Sequence, residues 1–536
     1  MAKKVKIAEL LLQTLEANGV GHIFGNPGTT EIPLVRMCEQ REKLRYVVAL
    51  SEVAAVPMAD GYARATRSLG VVNLHVAPGL GNGSGALYTA GVAGTPLLVL
   101  VGGQDRRFLH TQPILYGPLE EMARVVTKAV FTLTDAASAD FYIRKAIRTA
   151  LTPPTGPVAL ICPPDLLEEE FDGDPQAVTI PSLSGLSASD ARDFAAFLSA
   201  AKRPALIAAE NVHWADASAE LQQLAQSLDA PVYVAPYTGI LPLAASARGY
   251  AGYLAPSRAS IAQQLANHDA LLLIGGTGLR TTLFSAAVLP QRKAWLGSDA
   301  DLDWDEDEFA LARVADLKEA LAQIAAAVQP VRASRTTFRL PLELPVSPGA
   351  SLHPSRAVDA ILKSFSHALL VDESGLSTSD VKALMQVAAG DYLINGSGGI
   401  GWGLAASVGA AIGRSSRQVV ALIGDGSALY ASEAMWTASH GGTHILLVIF
   451  SNRRYATLNE AAARITGHEL DLFTIEPPVL DFSGLARLYG WTYASASTES
   501  ELREFLAANN GNVAGNTVLD LKLDQAVKPV TAARHF

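Results

Sequence analysis

Val419-Val-Ala-Leu-Ile-Gly-Asp-Gly-Ser427 decides the reading of this chain. It is an unbroken apolar run of strand length that ends in a glycine turn, with helical spacing expected from around Ser432. A strand, a glycine turn and a helix in that order form one unit of an open α/β sheet, whose ligands sit at the carboxyl ends of the strands. Glycines let the backbone approach a phosphate, and the N–H groups near a helix start favour anions. Asp425 cannot meet a phosphate directly, because like charges repel. A carboxylate there makes sense when a Mg²⁺ bridges the two. The next apolar run, Ile445–Phe450, ends in Ser451-Asn452, and the amide oxygen of Asn452 is a suitable hard ligand. A backbone carbonyl just beyond it would complete the set. Gly-Asp-Gly alone is a common turn, and Asn after a strand is usually a turn residue; the pair on consecutive strands is far more specific.

The same rhythm extends in both directions. Apolar runs of strand length fall at Leu44–Leu50, Gly70–Val76, Pro96–Val101 and Pro157–Cys162 in the first third. Pro204–Ala209, Pro231–Ala235, Ala270–Ile274 and Lys293–Leu296 follow, then Ala368–Val371 and Val518–Leu521. Continuous apolar runs alternating with helical patterns predict buried parallel strands. Two segments break the rhythm and read as linkers: Phe171–Asp190, rich in Pro, Gly, Ser and Asp, and Gln329–Pro354, with five prolines. The expected fold is α/β, with three doubly wound parallel-sheet domains at 1–180, 185–335 and 350–530.

Bulk composition narrows the function. The chain has 536 residues, 49% of them apolar and 18% charged, which suits large cores and rules against disorder. A net charge of -10 argues against nucleic acid as a partner. No run of about 18 uncharged apolar residues predicts a membrane span. Two cysteines, Cys38 and Cys162, suggest neither a disulfide framework nor a zinc site. Met1-Ala2-Lys3-Lys4 runs straight into an amphipathic helical pattern from Val5, with no signal-length apolar stretch, so a cytoplasmic location is expected.

Three N-terminal features carry chemistry. Leu44–Leu50 ends in Ser51-Glu52 ahead of helical spacing over Val53–Arg64. Taken alone, Glu52 is a carboxylate stabilised by a helix dipole. Gly25-Asn-Pro-Gly28 is a tight turn leading through Thr29-Thr30-Glu31 into a helical pattern from Ile32. His75 stands at a strand end before the glycine loop Ala77-Pro-Gly-Leu-Gly-Asn82, where imidazole suits acid–base work.

Gly424-Asp425-Gly426, followed about 25 residues later by Asn452, resembles the thiamine-diphosphate motif of the pyruvate decarboxylase and acetolactate synthase superfamily. The likeness covers about Ala8 to Asp524. It implies the thiamine-diphosphate-binding fold, with thiamine diphosphate and Mg²⁺ as cofactors. Asp425, the Asn452 side chain and the Arg454 carbonyl would bind the metal. Ser374, Gly375, Leu376, Gly424, Gly426, Ser427 and Tyr455 would line the cofactor. Within Asn395-Gly-Ser-Gly-Gly-Ile-Gly-Trp-Gly-Leu404, the Gly398 carbonyl would accept from the aminopyrimidine and Ile400 would wedge between the two rings. Glu52, ahead of Ala59-Asp-Gly-Tyr-Ala-Arg64, would hydrogen-bond the aminopyrimidine and favour its imino form, which activates the thiazolium carbon. Gly28 and Asn82 would also touch the cofactor.

Gly21–Glu31 and Asn73–Asn82 follow the benzoylformate decarboxylase family in particular. That likeness assigns catalytic roles to His75 and to Thr29, which stands where the family has Ser. It implies decarboxylation of a small-molecule 2-keto acid to an aldehyde, in a homodimer or homotetramer. Acetolactate-synthase-type carboligation is the alternative, and a non-catalytic cofactor-binding homologue is the rival outside enzymes. No FAD signature is visible. The chain departs from the pattern at Ser451, where Asn is usual, and at Thr282, where a second active-site His is expected. It also has Arg453 where a small residue is usual. Arg453 and Arg454 are candidates to recognise a second acidic group on the substrate.

Overall fold

The computed structural model describes residues 4–173, 175–282, 286–289, 291–299, 308–331, 337–345 and 351–531. It contains three six-stranded sheets, each parallel throughout. The first runs laterally through Arg45–Val48, His22–Gly25, Gly70–Leu74, Leu97–Gly102, Val158–Cys162 and Ala129–Thr132. The second runs through Tyr250–Tyr253, Val232–Val234, Pro204–Ala208, Ala270–Ile274, Arg292–Gly297 and Leu311–Val314. The third runs through Tyr392–Ile394, Leu369–Glu373, Val419–Gly424, Ile445–Ser451, Thr517–Lys522 and Thr492–Ala496.

The inner strands are apolar on both faces because helices flank both sides of a doubly wound sheet. Leu97–Gly102, Val158–Cys162, Ala270–Ile274 and Ile445–Ser451 are buried along their whole length. In the third sheet, strand order reverses where Leu369–Glu373 lies beside Val419–Gly424. A crevice at such a reversal is where open α/β sheets place ligands.

Two local expectations are corrected. Lys4–Lys6 is a strand paired antiparallel with Glu170–Asp172, so the helix starts at Ile7 and Phe171 belongs to that ribbon rather than to a linker. After Gly424 the chain turns at once into a short helix, Asp425–Ala428, and the next helix begins at Ala434. Of the second expected linker, residues 332–336 and 346–350 lie outside the described residues.

The chain divides into two compact bodies. The first comprises 1–181, 399–416 and 430–444. In it the Glu52–Thr66 helix crosses the Gly403–Gly413 helix with backbones in contact. A Cβ on Gly61 would lie 2.1 Å from the Ala406 carbonyl oxygen, and one on Gly409 would lie 1.8 Å from that of Met58. Glycine inside a helix costs up to about 1 kcal/mol relative to alanine, and this close approach is what requires it. The second body comprises 182–398, 417–429 and 445–536. One apolar core runs through it, joining Leu206 and Leu272 of the second sheet to Leu370 and Leu422 of the third. The edge strand Tyr392–Ile394 is covered by the segment around Gly239–Leu241, through Leu241 N–H to the Tyr392 carbonyl and Ile394 N–H to that of Gly239. Among the described residues no helix is long and apolar enough to cross a membrane.

Candidate active site

In the first body the carboxyl ends of two neighbouring strands, His22–Gly25 and Gly70–Leu74, bring Gly28, Thr30, Glu31 and His75 together. Glu31 follows the strand His22–Gly25 in a short 3-10 turn, Thr29–Glu31, and is 2% exposed. Its Oε2 accepts from Gly28 N–H at 2.8 Å and lies 2.8 Å from His75 Nδ1. Its Oε1 accepts from the Thr30 hydroxyl at 2.6 Å. A carboxylate only accepts, so in the neutral form of the imidazole the proton sits on Nδ1 and Nε2 carries the lone pair. Glu31 thus fixes both the tautomer and the orientation of His75, as the acid of a nucleophile–base–acid triad does. Val76, directly after His75, has φ +40°, a strained value for a β-branched residue, and such strain concentrates at functional positions.

Glu52 opens its helix, with Ser51 as the N-cap accepting from Ala54 N–H. The carboxylate is 6% exposed, and its Oε2 accepts from Asn82 Nδ2 at 3.2 Å. Three glycines make room for these groups. A Cβ on Gly28 would come within 2.2 Å of the His75 ring, one on Gly79 within 2.9 Å of Glu52 Oε1, and one on Gly102 within 1.7 Å of Glu31 Oε1. Thr29 is exposed, and it is Thr30 that lies 3.2 Å from His75 Nδ1. Sequence reasoning passed over Glu31 and Thr30, although both were inside the quoted turn. A carboxylate three residues after Gly28 is the signal that was available. Ile400, also in this body, is 40% exposed.

In the second body the Gly424-Asp425-Gly426 turn lies beside the Asn452–Arg454 segment. Asp425 Oδ1 accepts from Gly426 N–H at 2.9 Å and Oδ2 from Arg453 N–H at 2.6 Å. Burial pushes this carboxyl up to about 6, against the pull of those N–H groups, with the charge of Asp520 adding to the rise. Asn452 Oδ1 accepts from Arg454 N–H at 3.1 Å, and the Arg454 carbonyl accepts from Ala456 N–H at 2.9 Å. The Tyr455 ring lies where a Cβ on Gly426 would stand, 2.7 Å away. A cavity of about 680 Å³ opens beside Asp425, with Ser451, Arg453, Glu476 and Lys522 in its wall.

Two further buried aspartates stand on strands of the same sheet. Asp372 accepts from Ser374 N–H, the Ser374 and Thr378 hydroxyls and Tyr392 OH. Asp520 accepts from the Ser451 hydroxyl and Tyr493 OH. Ser451, where the family has Asn, thus has a fixed partner. Gly375 and Gly398 have φ +61° and +80°. Leu376 is buried, and Ser427 is 9% exposed.

These residues fit a divalent ion. Among the described residues no group of three or more His, Cys, Asp or Glu side chains gathers as a metal cluster. An ion would therefore rest on one buried carboxylate, one amide and one carbonyl, the mixed oxygen set that suits Mg²⁺ shared with a phosphate. The two arginines beside it each have a carboxylate neighbour. Arg453 pairs with Glu476 at 4.0 Å and Arg454 pairs with Glu469. Thr282 donates its N–H to the Pro256 carbonyl at 2.8 Å.

Doubly wound sheets with a glycine turn and a buried aspartate at a strand end belong to a cofactor-binding α/β protein. Known proteins sharpen that class. The chain matches the thiamine pyrophosphate enzyme N-terminal TPP binding domain over residues 5–125, the central domain over 191–324 and the C-terminal TPP binding domain over 373–520. It is 31% identical over 509 residues to a benzoylformate decarboxylase of Pseudomonas aeruginosa, covering 91% of this chain and 94% of that one. It is 24% identical over 563 residues to an acetolactate synthase large subunit of Haemophilus influenzae, covering 98% and 95%. The crystal structure of a benzoylformate decarboxylase from Polynucleobacter necessarius superposes with a TM-score of 0.89 at 25% identity, over 98% of this chain and 100% of that one. The chain belongs to the thiamine pyrophosphate enzyme family.

Proposed function

We propose that this protein is a Mg²⁺-dependent decarboxylase that converts a benzoylformate-like 2-keto acid to an aldehyde. The observation that carries the reading is the Glu31–His75 pair, with Nε2 of the imidazole left free. When bound, thiamine diphosphate supplies a ring that takes up the electrons released as CO₂ departs. The chain supplies the rest. Asp425, the Asn452 amide oxygen and the Arg454 carbonyl would hold Mg²⁺. Glu52 would exchange a proton with the aminopyrimidine ring, and its burial would keep water from competing. His75 Nε2 would take up a proton from solvent and deliver it to the carbon that has lost CO₂. Glu31 holds the ring while it is charged. The full-length likeness to a benzoylformate decarboxylase supports the substrate class.

The likeness to an acetolactate synthase large subunit, together with Thr282 in place of a second histidine, favours a second reading. There a carbonyl compound replaces the proton as acceptor and a 2-hydroxyketone forms. Self-association, with a homodimer as the minimum, is supported by apolar side chains left exposed on the first body, Phe108, Leu109, Ile114, Leu115 and Tyr116.

The test is CO₂ and aldehyde release from benzoylformate with both cofactors added. Glu52→Gln should lose on the order of 100-fold or more in kcat while retaining cofactor binding. Turnover only in the presence of an added aldehyde or second keto acid selects the carboligase. Glu52→Gln with unaltered turnover defeats both readings.

A further inference from the structure

Ile400 is a large apolar side chain that is 40% exposed, so its own packing does not fix its position. Its neighbours do. Gly401 has φ +100°, and a Cβ there would stand 2.5 Å from the Tyr430 ring. Trp402, the next residue, is 2% exposed and donates its indole N–H to Asp60 Oδ2 at 2.7 Å.

Asp60 and Arg64 have no exposed surface. Arg64 meets Asp60 through Nε to Oδ1 at 2.7 Å and Nη2 to Oδ2 at 2.6 Å. Arg64 Nε also reaches the Thr95 hydroxyl at 3.3 Å, and the guanidinium lies 4.6 Å above the Trp402 ring. Taking two full charges out of water is costly, and apolar residues of the same volume hold helices together as well or better. Stability therefore does not account for the cluster. What the cluster gives, and an apolar pair would not, is a directional acceptor for one indole N–H.

We propose that Asp60, acting through Trp402, is the positioning residue for Ile400, with Arg64 keeping the Asp60 charge compensated. This rests on the reading of Ile400 as a cofactor-facing side chain. Asp60 touches neither substrate nor cofactor in this scheme. Its effect is to hold the backbone two residues beyond Ile400, so that the exposed side chain is presented in one place.

The experiment is calorimetric titration of thiamine diphosphate, at saturating Mg²⁺, into the full chain and into Ile400→Ala, Trp402→Phe and the double variant. Trp402→Phe keeps the ring over Arg64 and removes only the N–H. Each single variant is expected to weaken binding about fivefold, the effect of losing or misplacing part of one apolar contact. The double variant is expected to bind no more weakly than Ile400→Ala, because both changes act through one side chain. A purely structural role would lower thermal stability and leave the two losses to multiply. Multiplying losses, or wild-type binding by Trp402→Phe beside a weakened Ile400→Ala, overturn the proposal. Wild-type binding by Ile400→Ala overturns the reading of Ile400 beneath it. Should Trp402→Phe not fold, Gly401→Ala displaces the same segment from its other side, and its loss must likewise fail to multiply with that of Ile400→Ala.

Discussion

The crevice around Glu31, Glu52 and His75 and the turn around Asp425 are both built at strand ends, and they solve opposite problems. In the first, every carboxylate already has side-chain or backbone partners within the chain: His75, Thr30 and Gly28 for Glu31, and Asn82 for Glu52. In the second, Asp425 is met only by backbone N–H groups, and burial holds its carboxyl at about 6. One set of carboxylates is held mainly by side chains, the other only by the backbone. Acid–base groups work best when their orientation is settled before substrate arrives, whereas a cation site must leave charge uncompensated in order to bind.

The sharpest way to break this contrast is Asp425→Asn. If Asp425 is a cation ligand, cofactor affinity measured at fixed Mg²⁺ should fall on the order of 100-fold, and the neutral variant should fold at least as stably without Mg²⁺. A variant that binds cofactor normally would make the two sites alike. Glu31→Gln comes next. It keeps the shape and removes the charge behind His75, so kcat should drop about 10- to 100-fold with cofactor affinity unchanged. An equal loss of cofactor binding would mean that the crevice is not pre-built.

The first body also carries a group that sets a pH limit. His22 Nδ1 is buried without a hydrogen-bond partner, and burial, reinforced by Arg45, holds its pKa below the usual imidazole value. The unfolded chain therefore takes up this proton first. Stability is fully present above about pH 6.5 and declines as pH falls below it toward the folded value. Thermal melts from pH 7.5 to 5.5 should show the decline, and His22→Phe should flatten it. The smallest effect is expected at Arg453, whose φ of +60° is a glycine conformation. Arg453→Gly should raise stability by about 1 kcal/mol, read by denaturant unfolding. It should also leave the rate ratio between mono- and dicarboxylic keto acids unchanged, because the guanidinium faces Glu476.

The sequence was most legible where burial is complete. Ala270–Ile274 was bounded to the residue, and Val419–Ile423 and Ile445–Phe450 each fell short by one. The strands missed are mostly at sheet edges: Ala129–Thr132, Tyr250–Tyr253, Leu311–Val314, Tyr392–Ile394 and Thr492–Ala496. Most of these are half-exposed and mixed in polarity, so no continuous apolar run marks them. The site followed the same rule. Asp425 and Asn452 stand in a spacing that carries its own chemistry. Glu31 had no such spacing, since its partner lies 44 positions away and only the sheet brings them together.

The glycines at 28, 79 and 102 put the proposed catalytic groups at the mercy of positions that carry no chemistry. A single methyl at Gly28 or Gly102 would overlap an imidazole or a carboxylate oxygen, and one at Gly79 would press on the Glu52 carboxylate. In a random mutagenesis screen for lost turnover, these codons should therefore score beside Glu31, Glu52 and His75. The genetic target of the proposed site is then about twice as large as the set of side chains proposed to act in it.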